Sequence, residues 1–460
     1  MNALFAEHAL LPDGWARNVR LAWDSAGVLT EVTAGSSPQK QLPRAAGPVL
    51  PGMPNLHSHA FQRAMAGLTE YRVPGENDFW SWRTLMYRFA LQLRPEELEA
   101  IAVQLYVEML KCGYTSVCEF HYLHHDPQGR PYANRVELAE RLLAAAGVAG
   151  IGLTLLPVLY EHSGFGKRPP LPEQRRFITS PEELLEMLAT LRRTRPGHDR
   201  LRYGVAPHSL RAVSPESLDR LVTSVNAVDA DAPVHIHVAE QTGEVADSLA
   251  VLGQPPVLWL LDHAGVDRRW CLVHATHMRP DESTRVAASG ATVALCPSTE
   301  ANLGDGIFDA AGYFAAGGAW GIGSDSHIGV SVREELRGLE CAQRLLHRKR
   351  NVLAHAGAPQ VAGHLYQQAV AGGARASARK VAGLAVGQYA DLLVLDRSGP
   401  DCPLEDPSLA LSAWIFATHG SDAVRDVMVG GRWVVEAGHH AAEERALRNY
   451  VRARDALLER

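Results

Sequence analysis

A chain of 460 residues that is 46% hydrophobic and 21% charged has the make-up of a soluble globular protein able to bury a sizeable core rather than that of a disordered or membrane one. Its formal net charge of −6, with no long lysine or arginine block, gives no electrostatic case for nucleic acid, and no stretch supplies the ~18 uninterrupted apolar residues of a membrane span. The first residues lack a basic-then-apolar leader and the six cysteines form no C-x-x-C pair, so buried free thiols and a cytoplasmic location are expected.

In chain order, residues 1–48 read as short strands punctuated by turns, such as Val19-Arg-Leu-Ala-Trp23, Asp24-Ser-Ala-Gly27 and Val28-Leu-Thr-Glu-Val32. Residues 381–460 show the same character at Asp391-Leu-Leu-Val-Leu and Val427-Met-Val, with a terminal helix. The two ends are expected to build one small β-sandwich. Between them, over 49–380, apolar strand-like runs alternate with helical patterns, which argues for βα units and a parallel sheet. The runs are 49–56, 114–120, 151–158, 201–206, 233–238, 270–274, 291–296 and 320–324. Eight is the number that a closed (β/α)8 barrel of TIM type needs. Ser180-Pro-Glu-Glu183 is a capping box with proline at the first helical position, Ser214-Pro-Glu repeats the device, and the helix from Pro95 stops at Gly113. Two long loops, 69–83 and 161–180, fall where they would cover the C-terminal mouth.

Polar residues of metal-ligand and catalytic type end most of these strands. In Leu56-His57-Ser-His59 the two histidines lie i and i+2 and share a strand face, so both imidazoles can reach one cation. Strand two ends in Tyr122, strand four in His208 and Arg211, strand five in His237 and Glu240, strand six in His274 and strand eight in Asp325. A separate polar residue at the same end of most strands is what an active site built from βα loops requires. In Val234-His235-Ile-His237 the residue nearer the strand end, His237, is expected to be the ligand and His235 a packing residue. Three imidazoles and one carboxylate with an open water position suit a catalytic zinc.

The motifs Pro51-Gly-Met-Pro-Asn-Leu-His57-Ser-His59-Ala, His237-Val-Ala-Glu240, Leu272-Val-His274-Ala and Gly323-Ser-Asp325 resemble those of the metal-dependent amidohydrolase superfamily in its deaminase branch. The longer strings Phe79-Trp-Ser-Trp-Arg83, Leu295-Cys-Pro-Ser-Thr-Glu-Ala-Asn-Leu-Gly and Ser324-Asp-Ser-His-Ile-Gly-Val-Ser-Val-Arg-Glu-Glu335 resemble the formimidoylglutamate deiminases within it, enzymes of histidine degradation. The resemblance implies a barrel with a flanking β-sandwich, one divalent metal ion, zinc, on His57, His59, His237 and Asp325, and hydrolysis of N-formimino-L-glutamate to N-formyl-L-glutamate and ammonia. It matches Gln62, Arg83, Tyr122, His208 and Arg211 to substrate-contacting positions. The role of Ser298-Thr-Glu300 it leaves open.

The chemistry fits that assignment. The substrate carries an amidine and two carboxylates; guanidinium forks grip planar carboxylates, and Arg83 and Arg211 can supply two. At the reacting end, Asp325 would take a proton from the attacking water, Glu240 would relay one to the amidine nitrogen, and His274 would stabilise the tetrahedral intermediate. Other amidohydrolase reactions, such as another deamination or hydrolysis of a cyclic amide, are the alternative. A bridging lysine typical of two-metal members is missing from both Leu153–Tyr160 and Tyr203–His208. A noncatalytic scaffold would not keep four ligands and Glu240. A symmetric homodimer is the default expectation for the assembly.

Overall fold

The computed structural model describes residues 2–71, 79–198, 200–396, 406–417 and 423–460, with residues 79–81 described by backbone alone. Strands β1 (Asn2–Leu11), β2 (Gly14–Trp23) and β3 (Leu29–Thr33) form an antiparallel meander, and β4 (Val49–Pro51) pairs parallel with β1. The run 49–56, expected as one strand, breaks at Gly52: β4 stays with the chain ends and β5 (Met53–Ser58) opens the central domain. The break has a steric cause. A Cβ at Gly52 would lie 2.2 Å from Thr115 Oγ1, so only glycine lets the chain cross there.

The central domain runs in two parallel arcs. β5, β6 (Tyr114–His121), β7 (Gly152–Leu159) and β8 (Leu201–Tyr203) form the first, with the two-residue β9 (Ala206–Pro207) against β7; β10 (Val234–Val238), β11 (Trp270–His274), β12 (Thr292–Leu295) and β13 (Ala319–Ile322) form the second. Parallel bridges join the arcs at both seams, Val205 to Val234 and Ser58 to Asp325. Their backbone bonds include His235 N–H to the Val205 carbonyl at 3.1 Å and Asp325 N–H to the His57 carbonyl at 2.9 Å. Eight parallel strands in a ring with helices between them explain why these segments read as unbroken apolar runs: both faces are covered. The Ser180 hydroxyl accepts from Glu183 N–H and Ser214 from Ser217 N–H, as the capping signals predict.

The chain ends meet in one mixed sheet. β14 (Leu392–Leu395) pairs antiparallel with both β4 and β15 (Val424–Val429), and β16 (Arg432–Glu436) and β17 (His439–His440) extend the edge. This sheet has its own core of Leu4, Val19, Leu21, Trp23, Leu29, Leu392, Val394 and Met428, separate from the barrel core. The terminal helix Glu443–Leu458 returns to the barrel, where Glu443 pairs with Lys111. The five cysteines among the described residues are all free, and Cys402 lies outside those residues. No described helix is long and apolar enough to cross a membrane.

Helix Val361–Ser377 packs on β5 and β13, the two strands whose ends carry the first and last polar residues of the mouth. The contact is close because Gly372 has no side chain; a Cβ there would lie 1.8 Å from the Trp320 carbonyl oxygen. Gly372→Ala is therefore expected to lower stability by about 1–3 kcal/mol through overpacking. A urea-unfolding midpoint unchanged from the parent protein would contradict this packing.

Candidate metal centre and active site

The mouth of the barrel collects the residues that end its strands. His57 and His59 project from β5, His237 from β10, and Asp325 follows β13, all nearly inaccessible to solvent. His57 Nε2 lies 2.9 Å from His237 Nε2, and Asp325 Oδ1 lies 3.5 Å from Nε2 of both His57 and His59. The tautomers follow from the backbone. His59 Nδ1–H donates to the Phe120 carbonyl at 3.0 Å and His237 Nδ1–H to the His208 carbonyl at 3.1 Å, which leaves each Nε2 as a lone pair. Burial, then mutual repulsion among the rings, holds His57 and His237 far below the ordinary imidazole value; burial takes His59 to about 3. Three neutral nitrogens that face one point repel one another unless a Lewis acid joins them. The set matches the imidazole and carboxylate donors of a catalytic zinc site.

His235 shares the strand but not the centre. Its Nε2 lies 2.9 Å from the Ala376 carbonyl, a core histidine in hydrogen-bond contact with the helix behind the strand.

His274 and Glu240 stand beside the centre. His274 Nε2 lies 3.6 Å from Asp325 Oδ2 and 3.8 Å from Glu240 Oε1, while Nδ1 lies 3.2 Å from Glu300 Oε1. Burial alone would neutralise this imidazole, but Glu240, Glu300 and Asp325 together raise it to about 10, so it is a cation in the folded protein. Burial raises the Asp325 carboxyl to about 7, opposed by the positive His274. Backbone strain gathers at the same end: Ala239, His274, Ala275, Asp325 and His327 all have φ between 46° and 68°, a region costly for residues with a Cβ and typical of functional sites.

The remaining predicted residues line one cavity at the mouth of the barrel. Gln62 Nε2–H donates to the Tyr122 hydroxyl at 2.8 Å, and its buried Oε1 has no hydrogen-bond partner among the described residues. His208 lies edge-on to Tyr160 with ring centres 4.6 Å apart. Arg83 Nη2–H donates to the Tyr160 hydroxyl at 2.9 Å. Arg211 does not stand as an open fork: its Nη2 donates to Glu240 Oε2 at 3.3 Å and its Nε lies 3.9 Å from Glu244 Oε2. Trp82, Met86 and Leu303 add apolar wall that the motifs did not single out. The side chains of Phe79, Trp80 and Ser81 and part of the 69–83 loop lie outside the described residues.

The stretch left open in the sequence proves to be a brace. Ser298 N–H and Oγ–H both donate to Glu335, Thr299 Oγ1 bonds Ser326 Oγ at 3.0 Å, and Glu300 accepts from Cys296 N–H while holding His274. Glu300 thus ties the turn after β12 to His274, Thr299 ties it to Ser326 beside Asp325, and Glu335 ties it to the helix Val332–His347. A second brace grips β5. The Ser58 hydroxyl, between His57 and His59, donates to Glu119 at 2.5 Å, and Ala60 N–H donates to the same carboxylate.

A model of the amidohydrolase family matches residues 49–434, and a model of the N-terminal domain of formimidoylglutamate deiminase HutF matches residues 1–41. The sequence is 53% identical over 461 residues to formimidoylglutamate deiminase of Pseudomonas aeruginosa, covering 100% of both chains. Among solved structures it is similar to an amidohydrolase from Brucella melitensis, with 49% identity, a TM-score of 0.93 and 100% of both chains covered. Its fold is also that of an adenosine deaminase from Xanthomonas campestris with bound zinc, at 22% identity, a TM-score of 0.82 and coverage of 100% and 98%.

Two outcomes follow from this geometry. His237→Ala is expected to lose most of the bound metal in equilibrium dialysis against zinc, whereas His235→Gln keeps it; metal retained by the first or lost by the second would reverse the assignment. Burial pushes the Glu335 carboxyl up to about 8 from an ordinary 4.5. The folded state therefore holds this proton more tightly than the unfolded one, and the associated stability is lost as pH rises from about 4.5 to about 8. Glu335→Gln removes that loss, so its stability relative to the parent should increase from pH 5 to pH 8, by roughly 1.4 kcal/mol for each pH step of one. Parallel urea-unfolding curves across that range would contradict it.

Proposed function

The chain belongs to the amidohydrolase family, and from that premise we propose that it hydrolyses N-formimino-L-glutamate to N-formyl-L-glutamate and ammonia, with zinc held by His57, His59, His237 and Asp325. The observation that supports this reading best is one cavity whose lining brings Glu240, His274 and Asp325 together with Arg83 and Arg211. It matches a substrate with an amidine at one end and carboxylates further along. The near identity in length and the 53% identity to the Pseudomonas aeruginosa enzyme support the same substrate.

An ion in the four-ligand centre supplies Lewis acidity, which makes a water nucleophilic near neutral pH. The chain does the rest. The unpartnered Gln62 Oε1 offers an acceptor to an amidinium N–H and, with Tyr122, orients the formimino group. Asp325 Oδ2 takes the proton released as water adds to the formimino carbon. Glu240 Oε1 takes the remaining water proton from the hydroxyl of the tetrahedral adduct and passes it to the departing nitrogen, whose bond to carbon breaks as the formyl C=O forms, releasing ammonia. His274, cationic and 3.6–3.8 Å from both carboxylates, offsets the negative charge that collects there. Arg211, bonded to Glu240, is assigned the carboxylate nearest the amidine, and Arg83, bonded to Tyr160, the side-chain carboxylate.

The alternative is a deaminase of a different small substrate on the same centre, since a fold hosts many chemistries. Two arginines in one lining favour a dicarboxylate. We also place the enzyme in the cytoplasm as a symmetric homodimer, the usual assembly of soluble metabolic enzymes.

Glu240→Gln keeps the shape of the side chain and removes its ability to shuttle a proton. Turnover of N-formimino-L-glutamate should fall by roughly a hundred- to ten-thousandfold while zinc content stays at the parent level. Near-normal turnover would remove Glu240 from the mechanism, and loss of zinc would place it in the metal centre.

A further inference from the structure

Loop 161–180 contributes no residue to the cavity wall, yet it is fastened to the helix that carries Arg83. Arg176, 0% exposed, donates from Nη1 to the Ala90 and Leu93 carbonyls, the latter at 2.8 Å, and from Nε to the His125 carbonyl at 2.7 Å. It caps the C-terminal end of helix Phe79–Gln92. Phe177 packs against the rings of Tyr87, Tyr122 and Tyr160. Two residues before Arg176 stands Gln174, also 0% exposed.

Every polar atom of the Gln174 amide is used. Oε1 accepts from Leu171 N–H at 2.8 Å, and Nε2 donates to the hydroxyls of Tyr87 and Tyr160, both at 2.9 Å. Tyr160 is the hydroxyl that accepts from Arg83 Nη2, and the Arg83 guanidinium carbon lies 5.1 Å over the Tyr87 ring. Thus the same two tyrosines hold Arg83 on one side and Gln174 on the other. A primary amide suits this position on chemical grounds. It gives two N–H donors to two neutral hydroxyls and adds no charge. A glutamate there would bring a negative charge to within one hydroxyl of Arg83 and compete with an incoming carboxylate.

We infer that Gln174 is a specificity-determining positioning residue: through Tyr87 and Tyr160 it aims the Arg83 guanidinium at the side-chain carboxylate of the substrate. This rests on the reaction proposed above. It adds that selection of a dicarboxylate over a shorter formimino compound depends on a residue that touches no substrate atom.

The test compares the zinc-loaded parent protein with Gln174→Leu and Tyr160→Phe on two substrates, N-formimino-L-glutamate and N-formimino-glycine, which lacks the side-chain carboxylate. For either variant, KM for the glutamate compound should rise by roughly ten- to a hundredfold, the range of one hydrogen bond to a charged group. The kcat on that compound and the kcat/KM on the glycine compound should stay within about threefold of the parent. Tyr160→Phe removes a single oxygen and covers the case in which Gln174→Leu fails to fold. Equal losses on both substrates would make Gln174 a structural residue and overturn the inference while leaving the reaction in place. Unchanged selectivity would overturn it as well. No ammonia from either substrate with the parent protein would overturn the reaction itself and this inference with it.

Discussion

The pairing of the first barrel strand with the end of the last is the constraint on which the site depends. Asp325 N–H donates to the His57 carbonyl and His59 N–H to the Asp325 carbonyl, at 2.9 and 3.3 Å. This ladder brings a carboxylate from residue 325 into register with two imidazoles from residues 57 and 59, and no local interaction could do so. Closing the ring costs chain entropy over more than half the sequence, and buried apolar surface on both faces of every strand offsets it. The other seam matters equally, because Ser209 bridges His237 there and the His208 carbonyl receives the His237 Nδ1 proton. At this seam the His208 carbonyl both pairs the strands and sets the His237 tautomer.

Electrostatics divides the mouth in two. On the β5 and β10 side, rings are buried against one another and kept neutral. A few ångströms away, His274 sits among Glu240, Glu300 and Asp325 and is kept charged. The same residue type thus serves as an uncharged electron-pair donor on one side and as a fixed cation on the other, and neighbouring carboxylates decide which. Positive φ at His274 and Asp325 shows that the backbone is held in an unfavourable region to aim these side chains.

Much of this was legible in the sequence. Eight apolar runs, their polar terminators and the capping signals at Ser180 and Ser214 correspond to strands, site and helices, since each depends on periodicity or on local hydrogen bonding. Of the two histidines on β10, the one nearer its end, His237, faces His57, and His235 bonds the Ala376 carbonyl. What remained hidden depends on long-range contacts. Nothing near Gly52 announces that Thr115 crowds it. Glu300 is one more acidic residue until the fold sets it against His274, 26 positions away in sequence. Arg211 reads as an open fork, but Glu240 and Glu244 share its guanidinium. Gln174 lies in a loop with no motif at all, and only the folded structure reveals its two tyrosine partners.

The central claim is that this cavity removes the imino nitrogen from a formimino dicarboxylate with help from the ion its four ligands hold. The most direct measurement follows ammonia and the new formyl proton by NMR when zinc-loaded protein meets N-formimino-L-glutamate, with chelator-treated and zinc-restored protein alongside. The account predicts one ammonia per N-formyl-L-glutamate formed, loss of both on chelation and recovery of both with zinc. Protein that carries its zinc yet releases no ammonia from this compound would contradict it.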